Sequence, residues 1–134
     1  VIPLLEKFKE KIHILRDPTR GGVATTLNEI ARSSGCGIAI EELAIPVDNA
    51  VQAVCEILGF EPLYLPCEGR FLSVVDGAFT DEIISFLREE TGCRQASVIG
   101  KIIASTPGTV QLHTLSGGKR IIDMPSGELL PRIC

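Results

Sequence analysis

The chain has 134 residues, of which 45% are hydrophobic, 22% charged and 4% aromatic, with a formal net charge of −4. This length suits one domain with its own core, and the acidic balance with few aromatic residues argues against a nucleic-acid-binding protein. No apolar run approaches the length of a membrane span, and no signal peptide opens the sequence.

Residues 1–11 are charged and mildly amphipathic, and we expect them to form the end of a linker helix. Because no Met precedes Val1, the chain is expected to be part of a longer protein. Residues 12–15 (IHIL) predict a strand. The loop-forming stretch 17–22 (DPTRGG) follows, and then a helix with apolar residues at helical spacing until Gly35.

The same patterns predict two more helices. One begins after Pro46, ends at Gly59 and carries an apolar stripe of Val51, Val54, Cys55 and Leu58. The other is capped by Thr80 and Asp81 and ends at Gly92. Further strands are predicted at residues 37–41, 70–75, 97–104, 110–115 and 119–122, the last two as a hairpin.

These elements predict an α+β domain, with one mixed sheet of about five or six strands covered by about three helices. Residues 125–134 are expected to be a mobile C-terminal tail that ends on Cys134. The seven residues after Gly127 would reach about 25 Å if extended, so the terminal thiol could be loaded at one place and react at another.

The turn at residues 17–22 has two interpretations. Gly21 and Gly22 would let the backbone approach a ligand, the following helix start favours phosphate, and Arg20 could add a bidentate contact. The alternative is a tight strand-to-helix turn with a local cap. Composition alone favours this alternative, because short glycine motifs are common.

Glu68 also has two interpretations. It precedes an apolar strand, where partial burial would raise the pKa of a carboxyl group toward that of a general base. The alternative is a strand-entry carboxylate that is exposed to water and paired with Arg70. The residues alone favour the exposed pair.

The cysteines and histidines do not predict a metal site. The five cysteines are scattered without a CxxC pair, which argues against zinc and against a disulfide framework and favours reduced thiols in the cytoplasm. His13 and His113 lie in separate predicted strands with no partner at ligand spacing.

Several motifs together resemble one family. Residues 16–31 (RDPTRGGVATTLNEIA) and 131–134 (PRIC), with three dipeptides between them, resemble the C-terminal half of the HypE family of hydrogenase expression/formation proteins. The dipeptides are at residues 63–64, 68–69 and 99–100. The resemblance covers essentially the whole chain. It extends more distantly to the aminoimidazole ribonucleotide synthetase superfamily, whose C-terminal-domain fold is implied here.

The resemblance implies a function in making the cyanide ligands of nickel-iron hydrogenase. In this family HypF carbamoylates the C-terminal thiol, here Cys134, and ATP then activates the carboxamide oxygen. Loss of phosphate leaves a thiocyanate, which passes to iron on a HypC–HypD complex. Glu68 matches the carboxylate thought to take the amide proton, and Arg20, Gly21 and Gly22 would border the ATP cleft.

The resemblance further implies a homodimer in the full-length protein and an N-terminal domain, absent from this chain, that binds most of ATP with Mg²⁺. The chain alone is therefore expected to be inactive. Cys67 and Arg70 stand where the family commonly has Asn and Lys. Two alternatives are a carrier or docking module without nucleotide chemistry, and another superfamily member such as a selenophosphate synthetase relative.

Overall fold

Six strands divide between two sheets in the computed structural model, which describes residues 1–125. The strands are β1 (Ile12–Arg16), β2 (Gly37–Glu41), β3 (Leu72–Val75), β4 (Gly100–Ile103), β5 (Val110–His113) and β6 (Lys119–Ile122). The helices are α1 (Ile2–Phe8), α2 (Gly22–Ser34), α3 (Asn49–Leu58) and α4 (Thr80–Glu89). Short 3₁₀ turns follow α1 and β2 and precede β3 and α4.

The larger sheet has four strands in the order β4-β2-β5-β6, and only the β2–β5 pair is parallel. The smaller sheet is the antiparallel pair β1–β3. The predicted α+β class and strand number are confirmed, but the strands form two sheets where the sequence predicted one. Strand periodicity identifies which residues share a face, and it does not identify the neighbouring strand.

The first core lies between α2 and the four-stranded sheet. Its helix side consists of Ala24, Leu27, Ile30 and Ala31. The sequence predicted the last three together with Val23, which is only partly buried against this core. The sheet contributes alternate residues of its central strands, because successive side chains in a strand point to opposite faces. These are Ile38, Ile40, Val110 and Leu112, joined by Ile122 of β6.

The second core forms where helix α1, at the start of the chain, packs against helix α4. Leu4 and Phe8 of α1 are 0% and 4% exposed and pack on Ile83, Phe86 and Leu87 of α4. The rings of Phe8 and Phe86 meet edge to face with centroids 5.4 Å apart. Residues 1–11, which the sequence predicted as a linker, are thus a packed part of the domain.

The sheet of β1 and β3 lies between the two cores. Ile14, Leu72 and Val74 pack against the first core, whereas Ile12 and Val75 pack against the second. In β3 this division follows from the alternation of side chains along a strand. A register shift between Ile12 and Ile14 turns the two residues toward different cores.

Helix α3 has the predicted bounds but a different environment. Asp48 caps it by accepting a hydrogen bond from the backbone N–H of Ala50 at 2.9 Å, and Gly59 ends it in the left-handed conformation. Of the predicted stripe only Cys55 is buried, while Val51, Val54 and Leu58 are exposed. The four residues of the stripe therefore lie on a helix, as predicted, but none of them belongs to either core.

Helix α4 begins at the predicted Thr80, but its preceding cap lies earlier. Asp76 accepts a hydrogen bond from the N–H of Ala78 at 3.0 Å and caps the 3₁₀ turn that leads into the helix, so Thr80 and Asp81 do not cap it. Within residues 1–125, no helix has the length and apolar character required to cross a bilayer.

Candidate functional site

Two loops that are distant in sequence meet at the start of α2. The backbone N–H of Cys67 donates a hydrogen bond to the carbonyl oxygen of Pro18 at 2.9 Å. The Pro18 side chain is fully buried, which holds this contact in place. Glu68, Asp17 and Thr19 consequently line the same cleft, which the spacing in the sequence alone could not show.

These loops border an open cleft of about 360 Å³, lined by Val1, Asp17, Thr19 and residues 68–71. Its charged side chains are two carboxylates, Asp17 and Glu68, and the guanidinium of Arg70. One cation cannot offset a triphosphate beside two carboxylates, so the described residues alone do not fit a nucleotide. Arg20, Gly21 and Gly22 lie outside the set of described residues that line the cleft.

Glu68 is exposed in the part of the chain that the structure describes. The partial burial that would favour a general base is therefore not supplied by residues 1–125. The alternative pairing is not seen either, since no ion pair joins Glu68 to Arg70 among these residues. A catalytic role would require another part of the protein to cover the carboxylate.

The two glycines at the turn serve the fold. Gly22 is buried with φ +62°, and a Cβ there would lie no more than 2.5 Å from the carbonyl oxygens of Leu63 and Leu65. Gly21 has φ +66°, and a Cβ there would collide with the hydroxyl of Thr25. The close approach is thus made to the protein's own atoms, to backbone at Gly22 and to a side chain at Gly21. The exposed Arg20 precedes the two glycines on the loop.

The stretch that packs on Gly22 also contacts the end of β6. The Tyr64 hydroxyl donates to the carbonyl oxygen of Asp123 at 3.0 Å, and Arg120 of β6 forms a two-point ion pair with Glu61. Partial burial, followed by the negative charge of Glu61, raises the pKa of Tyr64. The hydrogen bond to Glu61 raises the pKa of Arg120. The resemblance drew attention to residue 64, but no role followed from the sequence.

The remaining candidate residues are placed as follows. Cys134 lies outside the described residues. Cys67 is partly buried, and its thiol donates toward the carbonyl oxygen of Leu65 at 3.4 Å. His113 has a carboxylate partner that sequence spacing missed, because β2 and β5 place its Nδ1 at 2.7 Å from Oε1 of Glu41. Within residues 1–125, no three or more His, Cys, Asp or Glu side chains are grouped closely enough to hold a metal ion.

Comparison with known proteins identifies the family. The model of the AIR synthase related protein, C-terminal domain, matches residues 1–113. The chain is 44% identical over its full length to a hydrogenase expression/formation protein HupE of Azotobacter chroococcum, covering 39% of that protein. It is 46% identical over 92% of its length to a carbamoyl dehydratase HypE of Cupriavidus necator, covering 35% of that protein.

Solved structures agree with these matches. A hydrogenase maturation protein HypE in complex with ATP aligns with 98% of this chain at 38% identity and a TM-score of 0.88, over 42% of its own length. A HypE–HypF complex aligns with 92% of this chain at 37% identity and a TM-score of 0.84, over 41% of the matched chain. The resemblance to HypE is confirmed, and the chain spans about two fifths of the length of the relatives it matches.

Proposed function

This chain belongs to the AIR synthase related family as a C-terminal domain, and from that membership we propose that it is part of an ATP-dependent carbamoyl dehydratase of the HypE type. The whole protein would convert a carbamoylated Cys134 to a thiocyanate and supply cyanide ligands for nickel-iron hydrogenase. The observation that carries the proposal is the hydrogen bond between Cys67 and Pro18, because it sets Glu68 beside the 17–22 loop.

The reaction needs a carrier, an activating group and a base. HypF would transfer a carbamoyl group from an activated carbamoyl donor to the thiol sulfur of Cys134. A carbon–sulfur bond forms, the bond between the carbamoyl carbon and the leaving group of the donor breaks, and the thiol proton is lost to solvent. ATP is a substrate: its terminal phosphoryl group goes to the carboxamide oxygen, and ADP leaves. That oxygen then departs with phosphate while the nitrogen loses both protons, so the thiocarbamate becomes a thiocyanate.

In this proposal Glu68 removes the first of the two protons from the carboxamide nitrogen. A carboxylate within hydrogen-bond reach of the carboxamide nitrogen can act as a general base, and loss of the oxygen as phosphate drives the elimination. The exposed position of Glu68 suits a cleft that other parts of the protein complete. The arriving C-terminal segment and an N-terminal domain would exclude water from the carboxylate and hold it next to the nitrogen.

The other assignments depend on the same proposal. An N-terminal domain outside this chain would bind most of ATP with Mg²⁺, with Arg20, Gly21 and Gly22 at the border of that site. The full protein would act as a cytoplasmic homodimer and pass its product to a HypC–HypD complex. Residues 125–134 would be the mobile segment that travels between the partners and the cleft.

Mass spectrometry of the full-length protein tests the proposal. After incubation with HypF, carbamoyl phosphate and ATP, Cys134 should carry first a carbamoyl and then a cyano group. Cys134→Ala should gain neither, and carbamoyl mass on that variant would refute the carrier assignment. Glu68→Gln should be carbamoylated normally but dehydrate about 10²- to 10⁴-fold more slowly. Glu89→Gln, which changes another exposed carboxylate, should behave as the unmodified protein.

A second candidate is a carrier or docking module without nucleotide chemistry. The open cleft with two carboxylates and one guanidinium favours it, since these residues alone do not neutralise a triphosphate. Calorimetry with ATP separates the candidates in the full-length protein. Binding of HypF or HypD with no heat from ATP would support the module, whereas ATP binding would support the dehydratase.

A further inference from the structure

Helix α3 carries more apolar surface than its own packing uses. Seven of its ten residues are apolar, and at about 100° per residue they span about 200° of the helix circumference. A helix that packs on one core needs an apolar stripe of only about 100°. In the described part of the chain α3 contacts the 3₁₀ turn Pro62–Tyr64, and Cys55 is its one buried residue. About half of its apolar sector is therefore left without cover by these residues.

The uncovered side chains border an open groove beside α3. Val51, Val54 and Leu58 are 43%, 52% and 57% exposed, and their spacing of i, i+3 and i+7 places them in one row along the helix. Phe60 and Leu65 also line the groove, which has a volume of about 420 Å³. None of the described lining residues is charged. A row with this spacing can receive the apolar side chains of a second helix.

Carboxylates stand at both ends of the groove. Asp48 accepts a hydrogen bond at 2.9 Å from the N–H of Ala50, which lines the groove, and Glu61 directly follows the lining residue Phe60. Glu61 is already paired with β6, whereas Asp48 forms no ion pair in the described part of the chain. Residues 33–69 as a whole contain six acidic residues and no Lys or Arg. An apolar groove in this negative field is complementary to apolar side chains flanked by Lys or Arg.

We propose that this groove is the docking site for an amphipathic helix of a partner protein, with apolar side chains in the groove and Lys or Arg at its edges. A second copy of this chain fits less well, because a twofold contact would place the same acidic stretch against itself. An upstream part of the same polypeptide also fits less well, since a tether supplies a high effective concentration without any help from charge. A separate protein gains both speed and specificity of association from the opposite charge.

The test uses the full-length protein and a fluorescent helical peptide of Leu and Lys, with Leu at positions i, i+3, i+4 and i+7 and Lys at the flanking positions. A second peptide has Glu in place of every Lys. Fluorescence anisotropy measures the affinity of both. We expect the Lys peptide to bind and the Glu peptide not to bind. The affinity for the Lys peptide should fall as the salt concentration rises from about 50 to about 500 mM, because salt screens exposed charges.

Two matched pairs of variants locate the binding site. Val54 is 52% exposed in the groove and Val98 is 50% exposed outside it, so Val54→Gln should weaken binding of the Lys peptide at least about fivefold and Val98→Gln should not. Asp76 makes the same capping bond as Asp48, and Asn caps a helix as well as Asp does. Asp48→Asn should therefore weaken binding about two- to fivefold at low salt, whereas Asp76→Asn should not.

Four results would overturn the inference. The first is no binding of the Lys peptide or equal binding of the two peptides, and the second is equal behaviour of the two variants in either pair. The third is a melting temperature that falls in Val54→Gln but not in Val98→Gln, which would reveal cover by another part of the same polypeptide. The fourth is self-association in sedimentation experiments that Val54→Gln abolishes. None of these measurements uses Cys134 or Glu68, so failure of this inference leaves the proposed function untouched.

Discussion

Replacing Gly22 with Ala should destabilise the protein because the methyl group has no room and the backbone has the wrong conformation for it. At φ +62° an L-residue with a side chain costs about 1–2 kcal/mol. The new Cβ would also lie no more than 2.5 Å from the carbonyl oxygens of Leu63 and Leu65. Backbone atoms cannot rotate away as a side chain can, so the 63–65 stretch would have to move.

The size of the effect follows from two contributions and one offset. Overpacking costs about 1–3 kcal/mol in addition to the backbone penalty. Replacing glycine also lowers the conformational entropy of the unfolded chain, which stabilises the folded state by about 0.4–1 kcal/mol and partly offsets these costs. The free energy of unfolding should therefore fall by about 2–4 kcal/mol.

Gly35→Ala is the matched control. Gly35 has a similar φ of +68°, but nothing lies within 4 Å of a Cβ placed there. This variant meets only the backbone penalty, so its loss should be about 1 kcal/mol. The difference between the two variants isolates the collision with the 63–65 backbone.

Urea-induced unfolding followed by circular dichroism measures both variants. A fall in the midpoint at constant slope reports a change in stability alone. If Gly22→Ala and Gly35→Ala lose the same free energy, the close packing of Gly22 on Leu63 and Leu65 is refuted. On the proposed function, Gly22→Ala should also slow dehydration in the full-length protein, because the displaced 63–65 stretch leads into Glu68 three residues later.

Three further predictions concern the core, the end of β6 and pH. Leu112→Ala, at a fully buried site, should lower the free energy of unfolding by about 2–5 kcal/mol, whereas Val54→Ala on exposed α3 should lower it by less than about 1 kcal/mol in the same urea assay. Asn28→Ala should cost about 1–3 kcal/mol by calorimetry, because it leaves the carbonyl group of Ile122 without its buried donor; an unchanged melting temperature would contradict this. The raised pKa of Tyr64 means that the folded state favours the neutral phenol. The stabilisation of the folded state by the protonated Tyr64 phenol is complete below the ordinary pKa of about 10. It is lost as the pH rises through the higher pKa of the folded state. Unfolding curves should therefore show a steeper loss of stability above about pH 10 for the unmodified protein than for Tyr64→Phe. If the free energy of unfolding depends on pH in the same way in the two proteins, the prediction from the raised pKa of Tyr64 is wrong.

The local elements were predictable because their signals are local. The apolar spacing of α2 and its end at Gly35, the strand Gly37–Glu41 and the hairpin of β5 and β6 all match the structure. The partner of each strand was not predictable, since the same alternation suits one sheet or two. The exposure of Val54 was missed for a similar reason, because an apolar stripe does not specify what covers it.

The site was predictable only in part. Long motifs led to Glu68 and the 17–22 loop, and the contact of Cys67 with Pro18 places them together. Their burial was not predictable, because exposure depends on every element packed around a residue. Cys134 lies outside residues 1–125, and its role stays a prediction.

The sequence by itself determined the helices and strands of this protein and its family, because both depend on short-range patterns and on the identity of neighbouring residues. Only the tertiary structure decided that Leu4 and Phe8 of α1 are core residues, that Gly22 packs on the 63–65 backbone, and that Tyr64 reaches Asp123. Each of these contacts joins residues far apart in the chain. Their geometry follows from the packing of whole elements, which no local pattern contains.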